Sequence, residues 1–249
     1  MSPLLMLFNQ PSGGGAPSWT PADLTFIAGR LRNWWHFADS PTIAANSDGS
    51  GGTPAVGDPV GYVASAATES TYNNTQSNGA IKPIAASDSI QFTPGSHYFI
   101  DSVSSFSPGT TGMTIAARVK YASDSLLGVY FQIGGQDNGQ INAASVYGSD
   151  VRAGNDVGSG VTYDASSLDW SAYHTLIAVW DAATGKINVY LDSDTVTDSA
   201  TVSLSGSVSR DLVYGLNSAS VDCFIRGRFL AAQAFSGSDI AHLRAWLER

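Results

Sequence analysis

The sequence predicts an all-β, two-sheet antiparallel sandwich with a short N-terminal helix and a C-terminal amphipathic helix. Three observations carry this. Only 13% of the 249 residues are charged, and turn-forming Gly, Ser, Thr, Asn and Asp are abundant. From Ser89 onward, short apolar runs alternate with turn clusters. A helical period appears only at the two ends. With 43% hydrophobic residues the chain can bury one sizeable core. Residues 1–18 form an arm and flexible linker ahead of a sandwich over residues 19–249.

In the arm, Pro3-Leu4-Leu5-Met6-Leu7-Phe8 is an apolar hexapeptide followed by a Gly- and Pro-rich linker. Leu4, Leu5, Met6, Leu7 and Phe8 are the candidate partner-docking residues, because such side chains on a linker aggregate unless a partner covers them. Thr20-Pro21-Ala22-Asp23 reads as a helix start, with Leu24, Ile27 and Leu31 at helical spacing. A strand through Trp34 to Phe37 follows. Residues 38–80 read as a long irregular surface stretch in which only Val60 to Val63 resembles a strand.

Further strands are expected around Ile90, over Tyr98 to Ile100, Met113 to Tyr121, Leu126 to Ile133 and Ile141 to Tyr147. Others cover Thr175 to Asp181, Lys186 to Leu191, Thr201 to Leu204, Asp211 to Tyr214 and Cys223 to Gln233. Alternation turns Ile177, Val179, Ile187 and Val189 inward. Asp137-Asn138-Gly139 and Ala182-Ala183-Thr184-Gly185 are hairpin turns. At the end, Ser236-Gly237-Ser238-Asp239 reads as a cap, and Ile240, Leu243 and Leu247 form the apolar stripe of a helix.

Charge and cysteine usage exclude several functions. A net charge of −9 with no evident basic stripe makes nucleic acid and anionic membranes poor partners. Cys223 is the single cysteine, so no intrachain disulfide can form, and its strand context predicts an inert buried thiol. The apolar start lacks a cationic region and is too short for a signal peptide or a membrane span, which implies a product made in the cytoplasm.

The segment Trp170-Ser171-Ala172-Tyr173-His174 leading into Thr175 to Asp181, then Thr184 to Asp192, resembles the laminin-G-like/concanavalin A-like superfamily. There a Trp and a His precede an alternating strand, and a hairpin leads to a Y-x-D-G turn; Ser193 stands here in place of that glycine. Ile84 to Ile100 resembles the family's F-D-G-x-x-D-Y-L strand. Phe235-Ser236-Gly237-Ser238-Asp239-Ile240-Ala241-His242-Leu243 resembles its closing L-S-x-x-E-I-x-x-L helix. Trp19 to Leu24, and Leu4-Leu5-Met6-Leu7-Phe8-Asn9-Gln10, resemble the start of such domains in bacteriophage structural and tail-associated proteins. The resemblance implies a jelly-roll topology and a virion structural protein, a capsid decoration, head-fibre or tail-associated subunit. The arm would hold it to other virion subunits in a homo-oligomer. The alternative is a carbohydrate-binding module or adhesin that recognises host-surface glycan.

Catalytic patterns are missing, so the chain is not expected to be an enzyme. Glycoside hydrolases of this architecture need two carboxylates about 5 Å apart, yet Glu69 and Glu248 are isolated in the sequence. Asp192 and Asp194 alternate on one face but read as turn residues. Gly158-Ser159-Gly160 lacks the spacing and setting of a nucleophile elbow and reads as a loop. His36, His97, His174 and His242 form no metal-ligand pair, and no metal ligand is assigned. Calcium is the one cofactor that the lectin-like resemblance leaves open, with Asp137/Asn138, Asn155/Asp156 and Asp192/Asp194 as its candidates against turn roles. Trp34, Trp35, Tyr62, Tyr72, Tyr147 and Tyr163 are the aromatics near loops or strand ends that would stack on a sugar.

Deleting residues 1–18 is expected to leave a folded domain that no longer assembles with its partner subunits, as read by melting temperature together with light scattering. A truncated chain that melts much earlier, or still assembles, rejects a docking role for the arm.

Overall fold

The computed structural model describes residues 19–67, 72–93, 97–123, 130–137, 140–147, 150–156, 159–204, 206–216 and 221–249. The proposed docking residues Leu4 to Phe8 therefore lie outside the described residues, as do Glu69, Asn138, Gly139 and Gly158. The strands, in chain order, are β1 (Arg32–His36), β2 (Ile43–Ala44), β3 (Tyr62–Val63), β4 (Asn74–Thr75), β5 (Ile84–Ala85) and β6 (Ile90–Phe92). The long central strands are β7 (Tyr98–Phe106), β8 (Met113–Tyr121), β9 (Tyr130–Asp137), β10 (Gln140–Tyr147), β11 (Asp150–Asp156) and β12 (Ser159–Asp164). They are followed by β13 (His174–Asp181), β14 (Lys186–Leu191), β15 (Asp198–Thr201), β16 (Val208–Leu216) and β17 (Cys223–Ala231). A single turn, α1 (Pro108–Thr111), a closing helix, α2 (Ser238–Leu247), and short 3₁₀ turns at Pro21–Asp23, Phe37–Asp39 and Gly79–Ile81 complete the elements among the described residues.

The strands form an all-β sandwich. One sheet has the order β15-β14-β13-β8-β17-β6-β5, with β1 also paired to β17, and the other has the order β12-β11-β10-β9-β16-β7. A small β2-β3-β4 sheet gives order to part of the stretch expected to be irregular. Between the two large sheets, Phe92, Ile115, Val119, Trp180, Ile187 and Val189 meet Ala144, Val146, Val151, Val161 and Val213. Burying each large apolar side chain contributes roughly 1.5–3 kcal/mol, which makes this layer the main source of stability.

Of the four side chains expected to face inward together, only Ile187 and Val189 point between the sheets. Ile177 and Val179 face the other way, into a second core under α2 with Phe229, Ile240, Leu243, Trp246 and Leu247. Strand β13 is buried on both faces, its alternate side chains Leu176, Ala178 and Trp180 supplying the inter-sheet core. A both-sides-buried strand reads as a continuous apolar run, so periodicity alone could not assign its faces.

The predicted N-terminal helix is a correction: only a three-residue 3₁₀ turn, Pro21–Asp23, forms. The Thr20 N–H donates to the Asp23 carboxylate at 2.8 Å, and the chain then runs extended. Phe26 stacks on Trp34 with centroids 5.4 Å apart, and the Ile27 N–H donates to Gln233 Oε1 at 2.9 Å. These tertiary contacts outweigh a weak helical preference, and Ile27, 52% exposed, belongs to no apolar stripe. At the other end α2 forms as expected, but its N-cap is Gly237 with φ 56°, and no side chain caps it. Packing of Ile240, Leu243, Trp246 and Leu247 holds this helix instead. Ser159 and Gly160, read as part of a loop, begin strand β12, and β11 was likewise unrecognised: glycines and aspartates obscured the alternation of Val151 with Ala153 and of Val161 with Tyr163. The strand expected over Thr201 to Leu204 lies slightly earlier, at Asp198–Thr201.

Strand β17 holds the sandwich together. A register shift between Ile225 and Gly227 divides it: residues 223–225 pair with β6, and residues 227–231 pair with β1. The extra residue reverses which side chains face inward after it: Arg226 still points outward, as Phe224 does, while Arg228 enters the inter-sheet layer. Arg228, 0% exposed, forms a bidentate pair with Asp211 of β16 in the opposite sheet, with Nη1 to Oδ2 at 2.9 Å. Asn33 Nδ2 donates to the same carboxylate at 3.0 Å and Asn74 Nδ2 at 3.3 Å, while Trp35 Nε1 donates to Asn74 Oδ1 at 2.8 Å. Beside Asp211, Asp101 of β7 accepts from the Thr75 N–H, and burial, with the Asp211 charge adding to it, pushes its pKa up to about 6.

Removing one partner strands the other as a buried uncompensated charge, so Asp211→Ala or Arg228→Ala is expected to destabilise by about 3–5 kcal/mol in urea unfolding. The double replacement Asp211→Leu/Arg228→Met should lose less than either single change. Single losses below about 1 kcal/mol would mean that the pair does not lock the sheets.

Candidate functional site

Helix α2 and residues 19–31 cover only part of the outer face of the β1-containing sheet. Beyond them lies an uncovered strip that the strand registers assemble. Gln91 of β6 stands opposite Phe224 of β17, Phe224 stands opposite Lys120 of β8, and Tyr173 sits just before β13, next to Lys120. Three inter-strand spacings of about 4.8 Å make this row roughly 14 Å long. One step along the strands, Arg226, Arg118 and Thr175 form a parallel row. All these side chains except Thr175 are half-buried and keep contact with solvent.

The strip centres on the Tyr173 ring. Lys120 Nζ lies 4.6 Å from its centroid and 5.4 Å from that of Phe224, so the ammonium sits between two aromatic faces. The guanidinium carbons of Arg226 and Arg118 lie 5.8 and 6.0 Å from the same ring. Burial, aided by Asp88, pushes the Tyr173 hydroxyl up to about 12, so it stays a neutral donor, here to Asp88 Oδ1 at 3.3 Å. The sequence showed no basic stripe, yet folding gathers three of the chain's 12 cations around one ring.

Acids border the strip. Arg226 approaches Asp88 at 3.6 Å and Arg118 approaches Asp192 at 3.5 Å, both long for ion pairs. Asp192 has φ 49°, a left-handed conformation suited to Asp or Asn. This turns its carboxylate back to accept from the Thr175 N–H at 2.7 Å and to meet His174 Nδ1 at 2.5 Å. The other His174 nitrogen meets the Asp169 carbonyl at 2.8 Å, so the imidazole is a strut with neither nitrogen left to act as a base. Burial lowers the His174 pKa, but the Asp192 and Asp169 hydrogen bonds and the Asp192 charge outweigh it, and the net shift is upward from 6.5. Burial raises that of Asp192, but His174, Thr175 and Arg118 hold it below the usual carboxylate range.

The structure scatters the residues singled out from the sequence. Trp34 is buried against Phe26 and Phe229, Trp35 is a core residue, and Tyr163 packs against the inter-sheet layer. Tyr72 accepts from the Ser104 N–H on β7, away from the strip, and the Tyr147 side chain lies outside the described residues. Glu248 pairs with Arg244 at 3.4 Å and Asp194 with Arg244 at 3.9 Å, next to Asp192 at the border of the strip. His36 is buried, accepting from the Ala38 N–H and meeting the Leu247 carbonyl. Of the calcium candidates, Asp192 is committed to His174 and Thr175, while the side chains of Asp137, Asn155 and Asp156 are not described. Among the described residues no group of His, Cys, Asp and Glu is arranged to hold a metal. Cys223 is buried, and burial pushes its thiol pKa far up. Sequence reasoning missed the strip, although one signal was visible: Arg118 and Lys120 alternate with Val119 and Tyr121, placing both cations on one face.

No protein-family model and no curated protein matches the chain. Solved structures do. A structure of botulinum neurotoxin type C, whose cell entry depends on interaction with two ganglioside molecules, aligns with a TM-score of 0.55 at 14% identity over 73% of this chain and 48% of that one. The binding domain of botulinum neurotoxin DC in complex with rat synaptotagmin II gives 0.55 and 14% over 85% and 52%. The same domain in complex with SialylT gives 0.54 and 14% over 84% and 51%. At these identities the likeness shows a shared β-sandwich fold, and this chain spans about half the length of the structures that it matches.

A histidine held above its free pKa stabilises the fold below pH 6.5 and loses that contribution as pH rises through its folded value; the depressed Asp192 contributes above its ordinary range and loses it as pH falls. In an NMR titration His174 is therefore expected to titrate above 6.5, with His36 and His97 below it, where burial lowers both. Asp192→Asn should move His174 downward by at least one pH unit, since burial is then less opposed. An unmoved midpoint would show that Asp192 does not control this histidine.

Proposed function

We propose that this chain is a non-catalytic recognition module, a lectin-like sandwich of the concanavalin A-like, jelly-roll kind that binds cell-surface glycan. The observation carrying this reading is the uncovered strip of Tyr173, Phe224, Lys120, Arg118 and Arg226 on a rigid sheet. Aromatic faces supply stacking surface for the C–H groups of a sugar, and fixed cations and amides supply directional donors. Sites on strands hold their geometry more closely than sites on loops. The reading is supported, at the level of fold, by neighbours whose ligands include gangliosides and SialylT. Display on a bacteriophage particle, through an arm at residues 1–18, rests on the sequence resemblance and completes the proposal.

The test is a glycan array probed with the full chain, with reducing-sugar release assayed on every saccharide bound. Binding without release is expected. Absence of binding across the array, or turnover of a bound saccharide, would overturn the reading.

A further inference from the structure

We infer that the strip selects anionic saccharides, with Lys120 as the central contact to a carboxylate or sulfate and with Arg118 and Arg226 flanking it. This deepens the glycan-binding reading and rests on it. The argument begins with charge. Among the described residues Lys120 has no carboxylate within ion-pair distance; its ammonium is held between the Tyr173 and Phe224 rings. Ring contacts steady a cation without neutralising it, so the full charge stays available to a ligand. The acids around this face have other partners: Asp88 accepts from Tyr173, Asp192 is engaged by His174 and Thr175, Asp222 accepts from Gln91 and Thr93, and Glu248 pairs with Arg244.

A second, independent feature is the register shift in β17. At that shift Arg226, continuing the outward alternation of Phe224, places its guanidinium toward the Tyr173 ring. Arg226 Nε is buried and has no partner among the described residues. Burial lowers the hold of Arg118 on its proton, Asp192 and Glu248 oppose this, and Arg226 adds to it. Planar guanidinium groups suit the two or three equivalent oxygens of a carboxylate or sulfate. The Phe224 and Tyr173 ring edges, carrying positive partial charge, favour the same ligand and leave apolar surface for the sugar ring. An acidic peptide shares the charge but gains less from flat ring faces, so the saccharide is favoured.

The experiment titrates the full chain with 3′-sialyllactose as the carboxylate probe, a sulfated lactose as the sulfate probe, lactose as the neutral control and poly-glutamate as the peptide control. At least one anionic sugar is expected to bind about tenfold or more tightly than lactose, with affinity falling as salt rises. Lys120→Met and Arg226→Gln should each reduce that binding about tenfold while leaving Tm unchanged, whereas Tyr173→Phe, which keeps the ring, should largely retain it. Equal binding of lactose, tighter binding of poly-glutamate, or indifference to Lys120→Met in a folded variant would each overturn the inference. Binding of neutral sugars on the array that ignores Lys120 would overturn it and leave the glycan-binding reading standing, whereas loss of all saccharide binding removes both.

Discussion

The buried pair between Arg228 and Asp211 is the constraint around which the sandwich is organised. A guanidinium and a carboxylate taken out of water cost several kcal/mol each unless they meet with good geometry and satisfied hydrogen bonds. Here the two come from opposite sheets, so their distance sets how the sheets stack. Asn33, Asn74 and Trp35 complete the network, binding β1 and the small β2-β3-β4 sheet to the same point. Arg228 can reach inward only because β17 carries an extra residue after Ile225. The next position must be Gly227, since a Cβ there would run into the His36 ring. One irregularity therefore turns Arg228 into the core, directly after Arg226 has kept the outward alternation of Phe224 on the surface strip.

The second organising feature is the unequal covering of the outer face. Helix α2 and the N-terminal segment lie on Ile177, Val179, Ala116 and Phe229, which makes half of this face a second core. His36, Asp39 and Trp246 anchor the end of the helix: the imidazole meets the Leu247 carbonyl, and Trp246 Nε1 donates to Asp39 at 2.9 Å. The helix stops there. What remains of the sheet changes from apolar to cationic and aromatic at Arg118, and its donors stay in contact with water. A face that the core does not need is free to carry recognition, and a rigid sheet on both sides of β17 keeps its side chains at fixed spacings.

The local chemistry of turns and strands was readable in advance. Strand β8 over Met113–Tyr121 and β14 over Lys186–Leu191 follow directly from period-two patterns between turn residues, and the Ala182 to Gly185 turn closes with Gly185 at φ 65°. Leu24, Ile27 and Leu31 show where such reasoning fails. Their spacing is helical, but the stacking of Phe26 on Trp34 and the bond from Ile27 to Gln233, distant in sequence, hold the segment out of a helix. The four apolar side chains of β13 and β14 fail differently: burial was foreseen, yet a strand covered on both sides leaves no polar face to mark its orientation.

By itself, then, the sequence determined an all-β sandwich, most of its long strands, a closing apolar helix and an acidic chain, because these depend on composition and on neighbours within a few residues. Only the tertiary structure decided the rest. The ion pair joins positions 17 residues apart in the chain through opposite sheets. The strip assembles Gln91, Phe224, Lys120 and Tyr173 from segments that meet only through strand register. Register is a long-range property set by the packing of whole sheets and, in β17, by a single extra residue. A local reading sees a few cations scattered through an acidic chain, and the folded sheet places three of them on one ring.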